Sequence, residues 1–124
     1  MENLFFPHKA ILQDVYKDSP DVKRFKIQMS DKDAQEKFSF VPGQYVMLSI
    51  TGVGEAPFDI CSDPNIKEYF EISVRKAGKV TSALHALEVG DDVGIRGPLG
   101  RGFPAFRELG QQDLLLVGGG IGMI

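Results

Sequence analysis

The chain is dominated by short stretches in which apolar and polar residues alternate, each closed off by turn-forming residues within a few positions. Arg24-Phe25-Lys26-Ile27-Gln28-Met29 alternates strictly, and Val46, Leu48 and Ile50 do so within Gln44 to Thr51. Between Tyr69 and Lys76, Phe70, Ile72 and Val74 share one face and Glu71, Ser73 and Arg75 the other. A period of two is that of a strand with one face buried and one in water. Ala10 to Tyr16, Pro57 to Ser62 and Asp92 to Arg96 carry weaker forms of the same pattern. Pro42-Gly43, Gly52 to Gly54, Asp63-Pro64-Asn65 and Gly97-Pro98 supply the breaks. Several short strands at close spacing predict an all-β fold, a small antiparallel barrel or sandwich.

Three segments depart from this rhythm. Asp31 to Lys37 is charged and helix-tolerant and reads as a surface loop. Val80, Leu84 and Leu87 fall at helical spacing after Gly78, with Thr81 or Ser82 available as N-cap and Gly90 as a stop. One short helix is expected there. Asp113-Leu114-Leu115-Leu116-Val117 is a continuous apolar run, as in a parallel strand buried on both faces, and it leads into Gly118-Gly119-Gly120-Ile121-Gly122. Strand followed by glycine turn is how a nucleotide-binding α/β domain opens. The domain expectation is therefore a barrel over residues 1–110 and the first strand of a truncated NAD(P)-binding domain over 111–124.

Composition removes several classes of function. A formal charge of −3 does not suit a protein that coats nucleic-acid phosphates. A single cysteine, Cys61, forms no internal disulfide and holds no iron–sulfur cluster alone, and His8, His85 and Cys61 have no metal-site spacing. The apolar runs are too short to span a bilayer, and the first residues lack a secretory signal's basic region, so the cytoplasm is the expected location. With nine Phe, three Tyr and no Trp, phenylalanine must supply most of the large core volume.

Four elements are candidates for chemistry. In Gly78-Lys79-Val80-Thr81 a glycine precedes a helix start, whose free amides suit an anion such as a diphosphate; Arg75, Lys76 and Lys79 add positive charge. The plainer reading is a capped helix after a turn. Glu55 to Ser62, with Phe58 and Asp59, offers an aromatic ring and a carboxylate to a planar ligand, or is an edge strand with Cys61 as a small buried hydrophobe. Gly97-Pro98-Leu99-Gly100-Arg101-Gly102-Phe103-Pro104 allows close backbone approach to a ligand, or forms a tight surface loop. The glycines from 118 to 122 approach a phosphate or end the chain loosely. His8 and His85 read as surface or helix-flank residues, and neither a Ser–His–Asp set nor a carboxylate pair is legible.

The order and spacing of Val41-Pro42-Gly43-Gln44-Tyr45-Val46, Gly78-Lys79-Val80-Thr81, Gly97-Pro98-Leu99-Gly100-Arg101-Gly102-Phe103 and Val117-Gly118-Gly119-Gly120-Ile121-Gly122-Met123 resembles the ferredoxin-NADP reductase superfamily over nearly the whole chain. The nearest resemblance is to gamma-type electron-transfer subunits of hydrogenases, anaerobic sulfite reductase and dihydroorotate dehydrogenase. It implies a six-stranded antiparallel Greek-key barrel that binds FAD, followed by an NAD(P)H-binding domain. The flavin-holding motif, usually Arg-x-Tyr-Ser, falls on Ala56, Pro57, Phe58 and Asp59. Ser73, Val74 and Arg75 would run beneath the ribityl and phosphate region, Gly78, Lys79, Val80 and Thr81 would take the diphosphate, and Gly118, Gly119 and Gly120 the pyrophosphate of NAD(P)H.

Three departures matter, and at one of them Phe58 keeps an aromatic face for the isoalloxazine but loses the tyrosine hydroxyl. Ala56 replaces an arginine that pairs with the FAD phosphates, leaving that charge to Arg75, Lys79 and the helix end. Asp59 stands where a serine donates to flavin N5, and an ionised carboxylate only accepts. The implied activity is hydride transfer from NAD(P)H to flavin and single-electron transfer to an iron–sulfur or hydrogenase/reductase-type partner subunit, any cluster lying outside this chain. No side chain need act as general acid or base. The rival readings are a non-catalytic β-barrel interaction module that has lost its flavin, and a different nucleotide-binding enzyme.

Overall fold

The computed structural model describes residues 6–104, 113, 115–119 and 121. Its elements are β1 (His8–Ser19), β2 (Val22–Met29), α1 (Lys32–Lys37), β3 (Tyr45–Ile50), β4 (Gly54–Asp59), β5 (Phe70–Arg75), α2 (Lys79–His85) and β6 (Asp92–Leu99). The strands form one six-stranded sheet in the order β4-β3-β6-β1-β2-β5, with antiparallel neighbours throughout. The chain makes two hairpins, β1–β2 and β3–β4, and β6 returns to lie between them, which is Greek-key connectivity.

Alternation decides which residues face inward. In the β2–β5 ladder Phe25 lies opposite Ile72 and Ile27 opposite Phe70, and in the β3–β6 ladder Leu48 lies opposite Ile95. All six side chains are fully buried, together with Leu12 and Leu84. Burying each contributes roughly 1.5–3 kcal/mol, the main force curling the sheet around its own inner face. Phe38 stacks on Phe70 with ring centroids 4.6 Å apart and closes one end of this core.

The sheet is not a continuous closed ladder. Its edge strands, β4 and β5, come together just beyond the end of β4, where Ile60 and Ile72 form an isolated bridge and the Cys61 amide donates to the Glu71 carbonyl at 2.9 Å. Elsewhere this seam stays open, and its two edges face each other unpaired.

The sequence expectations need three corrections. There are two short helices. Asp31 to Lys37 is no surface loop but the capped helix α1: the Asp31 carboxylate accepts from the Asp33 amide at 3.0 Å, and the buried Gln35 accepts from the Met29 amide at 2.8 Å and donates to the Lys67 carbonyl at 2.7 Å. A helix fastened inward by a glutamine has no apolar stripe for periodicity to detect. The N-cap of α2 is Gly78, neither Thr81 nor Ser82. The fourth strand opens at Gly54 rather than Pro57, because hydrogen bonding to β3 begins at the Gly54–Ile50 pair. Where the sequence suggests the opening strand of a further domain, residues 113 and 115–117 are in no regular element, and Leu115, Leu116 and Val117 are 88%, 87% and 88% exposed.

Candidate functional site

The open seam forms a groove of about 470 Å³, within the size range of small-ligand sites. Its walls are the two edge strands. β4 brings Pro57, Phe58 and Asp59, and β5 brings Ser73, Val74 and Arg75. An edge strand tolerates Pro57, which has no amide hydrogen to give a further strand. Phe58 is half-buried against the core and Val74 is buried, so the floor is apolar and fixed. Pro57 and Asp59 are exposed at the rim, and Asp59 makes no side-chain hydrogen bond or ion pair among the described residues. Arg75 supplies a cation, 3.3 Å from the Asp21 carboxylate in an exposed pair. A neighbouring depression of about 410 Å³ shares Ser73 and Arg75 and reaches Asp18 and Asp21 on the β1–β2 turn.

The second part of the expected site lies three residues past Arg75. The Thr81 hydroxyl accepts from the Ala77 and Gly78 amides at 2.9 and 2.7 Å and donates to the Gly78 carbonyl at 3.2 Å. Here it holds the turn, at the position where the sequence suggested an additional donor to a diphosphate. The amides of Lys79, Val80 and Thr81, in the first turn, have no carbonyl partner within the helix. Lys79 is exposed, while Val80 leans on the start of β4, where a methyl added to Gly54 would come within 3.4 Å of its Cγ2.

Behind β5, His85 does more than flank a helix. Its Nε2 lies 2.8 Å from the Val74 carbonyl, and since a carbonyl only accepts, Nε2 carries the hydrogen. The Lys23 ammonium caps the His85 carbonyl at 2.8 Å. The first bond ties α2 to β5 and the second ties it to β2, which together hold the helix behind the groove.

The structure thus gathers six of the expected residues in one groove and four at the adjacent turn. Ala56 is not with them: it pairs with Leu48 in the β3–β4 ladder and does not line the groove. Gly118 and Gly119 are exposed and in no regular element, and Gly120 lies outside the described residues. Gly43, Ile60, Cys61, Phe103 and Ile121, none of them assigned individually to the site from sequence, also line the groove. Cys61 is only half-buried; desolvation pushes its thiol up to about 11, so it is un-ionised at neutral pH and a poor nucleophile. The signal for Gly43 and Phe103 was the pair of glycine motifs, whose mutual contact only the fold reveals.

Residues 9–103 match the family of oxidoreductase FAD-binding domains. The chain is 44% identical over 121 residues to the sulfhydrogenase 1 subunit gamma of Pyrococcus furiosus, covering 98% of this chain and 41% of that protein. It is 37% identical over 116 residues to a probable dihydroorotate dehydrogenase B (NAD(+)), electron transfer subunit, of Methanocella arvoryzae, covering 94% and 39%. Among solved structures, the cytochrome b5 reductase domain of Ulva prolifera nitrate reductase superposes with a TM-score of 0.66 at 25% identity, over 79% of this chain and 42% of that one. The chain spans about two fifths of the length of the curated relatives it matches.

Proposed function

Because this chain belongs to the oxidoreductase FAD-binding domain family, we propose that its seam groove holds FAD within a protein that carries electrons between NAD(P)H and an iron–sulfur partner subunit. One observation carries the reading: the groove combines an apolar floor, an open edge and a cation that leads directly to a helix start. Those features fit the parts of FAD in order. Phe58, Val74 and Pro57 offer apolar surface to the ring system, Asp59 stands at its rim, and Arg75 is placed for phosphate charge, with the amides of Lys79 to Thr81 beyond.

When bound, FAD supplies the redox chemistry, accepting a hydride and releasing electrons singly. The protein's own part is to bind and orient. Edge strands anchored in the core fix the ring plane, Arg75 exchanges its exposed contact with Asp21 for a phosphate, and His85 keeps the helix start in register with β5. Cys61 stays protonated and does not compete as a nucleophile. The nicotinamide nucleotide and the partner subunit are carried over from the relatives whose names include NAD(+) and electron transfer or a hydrogenase gamma subunit.

The test is the visible spectrum of the purified protein, before and after FAD is added and the excess removed. Bound-flavin bands at one equivalent are expected. A colourless protein that ignores FAD would leave the interaction-module reading, which Ala56 and Asp59 in the flavin-holding motif favour.

A further inference from the structure

We propose that Phe103 is a positioning residue that lies against the flavin ring in the groove; the inference rests on the flavin reading above. Phe103 is 72% exposed, yet it lines the same groove as Pro57, Phe58 and Asp59. An exposed phenylalanine on a loose loop would need no explanation. This one is fastened. Its amide donates to the Pro42 carbonyl at 2.7 Å, the Gln44 side chain donates to the Gly100 carbonyl at 2.9 Å, and the same side chain accepts from the Val41 amide at 2.9 Å.

Two glycines make the fastening possible. Gly43 has φ +95°, and a Cβ there would sit 2.6 Å from the Phe103 nitrogen and 3.0 Å from its Cγ. Gly102 has φ +77°, and a Cβ there would meet Val41 Cγ2 at 2.6 Å and the Pro42 carbonyl oxygen at 2.9 Å. The segments 41–44 and 100–103 therefore interlock with no room for a side chain at either glycine, and the Phe103 ring rests on the Gly43 backbone. The Ile60 amide donates to the Gln44 carbonyl at 3.1 Å, which ties this lock to the end of β4. Phe103 and Asp59 are thus held on one rigid frame and line the same groove. An aromatic face held rigidly beside an apolar groove, with only two rotatable side-chain bonds, favours a planar aromatic ligand.

The absence of tryptophan from the chain makes a direct test available. An indole in contact with a flavin quenches its emission, so Phe103→Trp places one quencher at the proposed contact. With flavin excited directly in the visible, the Phe103→Trp protein should bind FAD and riboflavin within threefold of the parent affinity but quench the bound flavin severalfold more. Val89→Trp, outside the groove at a site 60% exposed, should not quench further. Phe103→Ala should weaken riboflavin binding about tenfold, in line with loss of a stacked aromatic contact, while leaving the circular dichroism unchanged. Flavin bound to Phe103→Trp with emission equal to that in Val89→Trp would overturn the proposal while leaving the flavin reading intact. A parent protein that binds neither FAD nor riboflavin would remove both, and the two failures are told apart by the parent's spectrum alone.

Discussion

The two halves of the candidate site are built on opposite principles. The groove between β4 and β5 exists because the sheet does not close: its strand edges are unpaired, Asp59 has no side-chain partner among the described residues, and its shape is imposed by the core behind it. The turn from Ala77 to Thr81 is satisfied within itself, with one hydroxyl serving two amides and a carbonyl. The first half depends on long-range packing and leaves its polar chemistry to a ligand. The second keeps its form through local bonds and offers only backbone amides. A site assembled this way should lose its groove with the barrel core but lose its helix start with a single hydroxyl.

The largest effect is expected from cutting the seam. Ile72 is fully buried, faces Phe25 across the β2–β5 ladder and makes the only bridge described between the two edge strands, opposite Ile60. Ile72→Ala should lower stability by about 3 kcal/mol, the range for a large aliphatic side chain truncated in a packed core. Urea denaturation measures this, and flavin affinity should fall in parallel. Full stability with Ile72→Ala would mean that the groove is not held by the core. The turn should respond less. Thr81→Ala removes the local cap and should cost about 1 kcal/mol, with riboflavin binding unchanged and FAD binding weakened, because only the diphosphate reaches the helix start. Equal loss of both ligands would break the distinction between the two halves.

The halves also differ in how much of them could be read from sequence. β2, β3 and β5 were legible because half-buried strands write their burial into alternation, as in Phe25/Ile27 and Phe70/Ile72/Val74. The order of motifs pointed to both halves of the candidate site. What stayed hidden depends on partners distant in sequence. Gln35 buries α1 through two hydrogen bonds and leaves no apolar signature. The Thr81 hydroxyl points back to Ala77 and Gly78, so its availability to a ligand cannot be judged from residue type. Glycine is the clearest case. Gly43 and Gly102 interlock segments nearly sixty residues apart, whereas a side chain at Gly119 would meet nothing within 4 Å.

The smallest effect bears on what the open half does to a bound flavin. Asp59 lies at the groove rim beside the half-buried Phe58, in the ladder opposite Tyr45. Ionised, its carboxylate accepts from the N5–H of reduced flavin and gives oxidised N5 nothing, so it favours the reduced form. A serine hydroxyl donates to oxidised N5 and reverses that preference. Asp59→Ser should therefore move the midpoint potential about 20 mV more negative, as expected for one exchanged hydrogen bond of about 1 kcal/mol in a two-electron couple. Spectroelectrochemical titration of both proteins at several pH values measures it. A shift to more positive potential would mean that repulsion between the carboxylate and the electrons gained outweighs the hydrogen bond. An unchanged curve would mean that Asp59 faces water rather than N5, and the groove would then position the flavin without tuning it.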